Sequence, residues 1–302
     1  MNRLPSLLLF VVLLALTGCS RSSQSGAKVD ASLLTLVPSD TVLLAGTRLE
    51  ALRETTVYKK YLLNRKFAAI DEFARRTGLD PQKDLWELLF VSNGKSGVLL
   101  GRGKFANEME PRLEQEGAQR VGYKGYNLIG TDQAAVLFVN SSTAALASMV
   151  DLKEFVDKRA SSNGPPPALA TAIKEIPGDS QFWAAYTGGA VRLPVDPHST
   201  AASLNKLIES IQSATVYFDF RNGLKSVAAG VCTKDDEAQQ VQAALKALVG
   251  LGRLNTPSNQ PELMQAYDSI RVTQEGHRVK LYLDLPQSTV ESFLNAWMGK
   301  VR

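Results

Sequence analysis

The sequence predicts an α+β fold built from two tandem repeats, each with antiparallel β-hairpins packed against helices. Three observations predict it. A turn motif precedes an apolar strand-like run at two places 139 residues apart. An Asn-Gly pair divides two strand-like runs at two places 129 residues apart. Each of those hairpins leads into apolar residues at helical spacing.

The turns come first. Val37-Pro38-Ser39-Asp40-Thr41 stands before VLLAGT, and Ile176-Pro177-Gly178-Asp179-Ser180 stands before QFWAAYT. Proline presets one turn dihedral and Asp folds back onto its own backbone, so each motif reads as a turn feeding a buried strand. Asn93-Gly94 then separates WELLFVS from KSGVLLG, and Asn222-Gly223 separates ATVYFDFR from LKSVAAGV. Both residue types tolerate the positive φ of a tight hairpin turn. Ala106, Met109 and Leu113 follow at helical spacing in the first half, and Ala238, Val241, Leu245 and Leu248 in the second, after the acidic start Asp235-Asp236-Glu237.

A second hairpin is expected around Lys124-Gly125 and, as its counterpart, around Glu275-Gly276. Closing helices are expected near Asp151–Arg159 and Gln287–Trp297. A further helix over Thr56–Thr77 would lay Tyr58, Leu62, Ile70 and Phe73 on one face. Its basic pairs, Lys59-Lys60, Arg65-Lys66 and Arg75-Arg76, scatter around the axis and read as a solvated surface. Pro165-Pro166-Pro167 cannot sit in a helix interior and marks the join. The resulting division is a leader over 1–18, an anchor and flexible tether over 19–32, and repeats over 33–164 and 165–302.

The first residues carry an address. Met1-Asn2-Arg3 is short and basic, LLLFVVLLA (residues 7–15) is uncharged, and Leu16-Thr17-Gly18-Cys19 follows. This is the plan of a secretory leader. A bilayer-spanning helix needs about 20 apolar residues, more than this run supplies. Leu16-Thr17-Gly18-Cys19 resembles the bacterial lipobox. The resemblance implies cleavage between Gly18 and Cys19 and lipid on the Cys19 thiol, and Ser20 after it is compatible with sorting to the outer membrane in a Gram-negative host. Two or three acyl chains hold durably where one does not, because each buried CH₂ contributes about 0.8 kcal/mol. The polar SRSSQSGA that follows reads as a tether. The body resembles uncharacterised bacterial envelope lipoproteins made of paired α+β units, which share the turn before the strand, the Tyr123-Lys124-Gly125-Tyr126 hairpin and the late helix. That resemblance implies no known reaction.

Charge and cysteines narrow the rest. Loss of residues 1–18 removes Arg3 and no acid, leaving 33 basic against 30 acidic side chains, a balance of +3. That gives no concentrated basic stripe for nucleic acid. With Cys19 lipidated, Cys232 has no partner in the chain and no disulfide framework forms. Its run, VAAGVCT, reads as a buried strand.

Chemical motifs are weak. Gly101-Arg102-Gly103-Lys104-Phe105-Ala106 fits a relaxed dinucleotide fingerprint, but its strand reads as half of an antiparallel hairpin. Gly94-Lys95-Ser96 lacks the earlier glycine of a phosphate loop. Asp196, His198 and Ser199 are sequence neighbours, which an extended loop points apart, and Ser199 or Thr200 more simply caps a helix through Leu204, Leu207, Ile208 and Ile211. His277 follows a turn glycine and is expected in solvent. Zinc needs close His or Cys pairs, which are missing. Trp86, Trp183 and Trp297 read as core. No cofactor is expected. The reading is therefore a non-enzymatic lipoprotein of the cell envelope with a binding or scaffolding role. Its partners would be the membrane, through its lipid, and another envelope protein. The alternatives are an anchored hydrolase using carboxylates from both halves, which needs a pocket where they converge, and a carrier of a lipid or other apolar ligand, which needs a lined cavity.

Overall fold

The computed structural model describes residues 26–65, 68–159, 161–188 and 210–299. Its centre is one twelve-stranded antiparallel sheet. In chain order the strands are β1 (Leu43–Arg48), β2 (Leu85–Ser92), β3 (Gly97–Gly103), β4 (Gln119–Tyr123), β5 (Tyr126–Gly130), β6 (Ala135–Asn140), β7 (Thr143–Ala147), β8 (Phe182–Thr187), β9 (Ile211–Asp219), β10 (Leu224–Cys232), β11 (Ile270–Glu275) and β12 (Arg278–Leu285). In space they run β11-β12-β10-β9-β8-β1-β2-β3-β7-β6-β5-β4. The fold is α+β, as the sequence predicts.

The two halves meet at β1 and β8, which pair antiparallel with Leu44 opposite Ala185 and Gly46 opposite Trp183. Outward from that seam each half repeats one plan: lone strand, hairpin (β2–β3 or β9–β10), then a hairpin whose second strand joins the first hairpin (β7 on β3, β12 on β10). The turns before the lone strands match as well. The N–H of Thr41 donates to Pro38 O at 3.2 Å, and that of Ser180 to Pro177 O at 3.1 Å.

The first half departs from the plan in one respect. The Lys124-Gly125 hairpin exists as β4–β5, with φ +47 and +84 at its turn. Yet the counterpart of β11–β12 by position is β6–β7, and β4–β5 extends the sheet beyond it. The β6–β7 turn is built by Asn140, whose Oδ1 accepts from the Ser142 N–H at 2.9 Å. With no glycine in that turn, its sequence carries no hairpin signal.

One sheet face is covered by α1 (Ala31–Leu34), a helix over Met149–Arg159 and another over Pro167–Lys174. Leu33, Leu152 and Leu169 are fully buried there against Leu44, Leu89 and Leu100. This core draws on both halves, since Ile173, Ile176, Trp183 and Ala185 belong to it. The other face has separate patches. The helix Met109–Gln115 packs with Leu79, Phe105 and Ala144. The long helix Asp235–Leu254 places Ala238 and Val241 on Val272, Val279 and Cys232. The closing helix Gln287–Gly299 places Val290 beside Leu285 and Val57.

Three expectations are corrected. The tether expected over 19–32 is docked chain from residue 26: the Gly26 and Ala27 N–H groups donate to Ile176 O and Ile173 O, each at 3.0 Å, and Asp30 caps α1. The helix expected over Thr56–Thr77 is a π-helical segment, Tyr58–Leu62, and a separate helix, Ala68–Thr77. The wider π turn changes which residues share a face in the first segment, where Val57 and Tyr61 are buried; Phe73, in the second, is exposed. Ile211 opens β9 instead of ending a helix. Residues 199–208, the rest of that expected helix, lie outside the described residues.

Candidate functional site

Alternation along the strands sends successive side chains to opposite faces. On the face opposite the shared core, cross-strand register lines up one row: Leu146, Leu99, Phe90, Ala45, Ala184, Val216, Ala228 and Leu281. The row crosses eight strands and contains no polar side chain. Leu281 lies under the long helix, against the Val241 cluster. At the other end Phe90 is 37% and Leu146 42% exposed. Ala45, Ala184, Val216 and Ala228 are half-buried between them. Small side chains in the middle and bulky ones at the ends make a shallow apolar trough.

The opposite face carries a charged row at the lower end of the same central strands. Arg48, Glu87 and Arg102 are register partners on β1, β2 and β3. The N-terminal chain lies over them. The Asp30 N–H donates to both Glu87 carboxylate oxygens, at 3.2 and 3.3 Å. Arg102 Nη1 pairs with Asp30 Oδ2 at 2.5 Å and donates to Ser32 Oγ at 3.0 Å. The Arg102 guanidinium also lies 5.6 Å from the Trp86 ring centre. Arg48 Nη1 donates to Gly178 O at 3.3 Å. Among the described residues no cation comes within 4.0 Å of Glu87. Burial, with Asp30 adding repulsion, pushes its carboxyl up to about 7 against the pull of Arg48, Arg102 and the Asp30 N–H. Asp30 itself is held below its usual range, chiefly by the Ser32 hydroxyl.

Elsewhere Asp40 and Glu154 share one lysine. A shallow depression beside the β2–β3 turn is lined by Asp40, Asn93, Asp151, Glu154 and Lys158. There Lys158 Nζ meets Asp40 Oδ2 at 2.6 Å and also pairs with Glu154. Among the described residues no three His, Cys, Asp or Glu side chains are grouped so that they could hold a metal ion.

The residues singled out in the sequence fall as follows. Gly18, Cys19, Asp196, His198, Ser199 and Thr200 lie outside the described residues, as does the Trp297 side chain. His277 is exposed, 3.9 Å from Asp235. Cys232 is buried, and burial pushes its thiol up. Trp183 is core, whereas Trp86 serves as the platform for Arg102. The glycines 101 and 103 sit in β3 between antiparallel neighbours. The N–H groups after them donate to backbone carbonyls: Gly103 to Ser142 O, Lys104 to Asp84 O and Phe105 to Ser141 O. Donors already spent in this way cannot cradle a phosphate. Gly94 has φ +86 in the hairpin turn, where Asn93 Oδ1 accepts from the Lys95 and Ser96 N–H groups. The apolar trough was missed, although LLF in β2 and VLL in β3 are continuous apolar runs, the mark of strands apolar on both faces.

No family model matches the chain, and no curated protein does. Solved structures do. Crystal form III of TP0453 aligns with a TM-score of 0.51 at 12% identity, over 89% of this chain and 99% of that one. Crystal form I of TP0453 gives 0.47 at 14%, over 90% and 98%. The likeness to form III shows a shared fold extending over nearly the whole of both chains.

Proposed function

We propose that the protein is a lipoprotein of the bacterial cell envelope, anchored through Cys19, whose sheet serves as a non-enzymatic binding or scaffolding surface. The apolar trough from Leu146 to Ala228 carries the binding part of this reading. Burial of apolar surface stabilises an association by about 25 cal/mol per Å², and a contiguous row of apolar side chains is where a partner gains most. The two sheet edges, β4 and β11, lie further out and present the outer backbone groups of the sheet to a partner strand. The anchor part rests on the leader and on Leu16-Thr17-Gly18-Cys19. Among the described residues no helix is long and apolar enough to cross a membrane, which suits attachment through the N-terminus. The partner in this reading is another envelope protein, and Ser20 is compatible with an outer-membrane position facing the periplasm if the host is Gram-negative.

The test is a photo-crosslinking amino acid placed at Phe90 in cells, with the same probe at exposed Arg75 as control. The reading expects a discrete adduct from position 90 alone, lost in an Ala184→Lys variant of normal abundance. No adduct at position 90, or the same adducts from both positions, contradicts it.

A further inference from the structure

Gly26 is the first described residue and lies seven positions after Cys19. It is fixed to the body. The Gly26 and Ala27 N–H groups donate to Ile176 O and Ile173 O, each at 3.0 Å, and Ala27 and Val29 pack on the core shared by both halves. We propose that the bilayer carrying the anchor meets the body at this site, with Lys28 and Lys174 against its anionic surface, so that the apolar trough opens to water. The inference rests on the anchor at Cys19.

Chain length sets the reach. Seven residues span at most about 25 Å fully extended, and about 15 Å on average in a Gly/Ser-rich composition. Gly26 lies on the core side of the sheet, at the C-terminal end of the helix Pro167–Lys174, which packs on β8 and β9. The trough is on the other side. There the helices Met109–Gln115 and Asp235–Leu254 stand at its flanks. A bilayer resting on those helices would lie about 20 Å from Gly26 in a straight line through the protein, one helix diameter of 10–12 Å added to a layer spacing of about 10 Å. The chain would have to run round the body instead. That path exceeds the average reach and leaves no slack at full extension. With Gly26 turned to the bilayer, no such stretch arises.

Charge favours the same orientation. Lys28 and Lys174 are exposed, and Lys174 Cα is 3.5 Å from where a Cβ on Gly26 would sit. The acids beside them in sequence are matched, Asp30 by Arg102 and Glu175 by Arg278. The two lysines therefore stand in excess, and Arg21 adds a third cation in the chain before them. Basic groups held within a Debye length of an anionic bilayer are drawn to it. A trough that opens to water takes a protein arriving through the aqueous space, and not the acyl chains of the anchoring bilayer.

The test uses the full lipid-bearing chain in phosphatidylcholine vesicles that contain phosphatidylglycerol. A fluorescent probe is attached at Thr171→Cys, one turn before Lys174, or at Leu146→Cys in the trough. The probe at 171 should be quenched several-fold more by headgroup-nitroxide lipid than the probe at 146. That contrast should shrink when Lys28→Glu and Lys174→Glu are combined, and shrink further with a long Gly/Ser insert after Ser23. Equal or stronger lipid quenching at 146, or a contrast left intact by both changes together, would overturn the orientation. Protein that fails to float with the vesicles is a separate result: it removes the anchor reading, and the orientation with it.

Discussion

The N–H of Arg48 donates to the carbonyl of Gln181 at 3.0 Å, and the residues 139 positions from each repeat the bond in reverse: Thr187 N–H donates to Val42 O at 2.9 Å. Such a reciprocal pair is what a local two-fold axis between β1 and β8 produces. It makes the seam between the halves a continuous part of the sheet, and each half closes the other's open strand.

The seam also has a steric requirement. A Cβ on Gly46 would come within 2.5 Å of the Trp183 indole, which is buried and has little room to move. Gly46→Ala should therefore cost about 1–3 kcal/mol by overpacking, seen as a lower urea midpoint with the slope unchanged. A variant as stable as wild type would show that the seam is looser than this.

The N-terminal docking is legible as stability too. Leu33 is fully buried in the core shared by both halves, so Leu33→Ala should cost about 2–5 kcal/mol in the same assay. A cost below 1 kcal/mol would mean that α1 is peripheral.

Stability should respond to pH in two opposite ways. The Glu87 carboxyl is raised on folding, so its contribution is full below about 4.5 and is lost as pH climbs to about 7. Asp40 and Asp219 are lowered in spite of burial, by Lys158 and Asn93 in one case and Arg221 in the other. Their contributions are present above the usual Asp range and are lost as pH falls through it. Denaturation midpoints from pH 3 to 8 should show a maximum on the acid side of neutrality, and Glu87→Gln should flatten only the limb above 4.5.

Cys232 should behave as a buried thiol. Its burial and raised pKa predict no reaction with a thiol reagent at pH 8 until the protein is denatured. Rapid labelling of the native protein would place the β10 end in solvent instead.

Much of the fold was legible because the signals were local. The proline turns before β1 and β8, the Asn-Gly pairs at 93–94 and 222–223, and the acidic start of Asp235–Leu254 each act within a few residues. The β6–β7 hairpin was not legible, because Asn140 makes its turn through a side chain and no glycine announces it. Nor was the π turn at Tyr58–Leu62, whose register is set in part by Tyr61 meeting Glu291 O across the molecule, 230 residues on. The candidate sites were the least visible. Arg48, Glu87 and Arg102 become neighbours only through strand register, and so does the row from Leu146 to Leu281.

Anchorage is decided by the intact mass of the native protein extracted from membranes. The account predicts a chain that begins at Cys19 and is heavier by the mass of its attached lipid. A chain still carrying residues 1–18, or one trimmed but bearing no fatty acid, would contradict it.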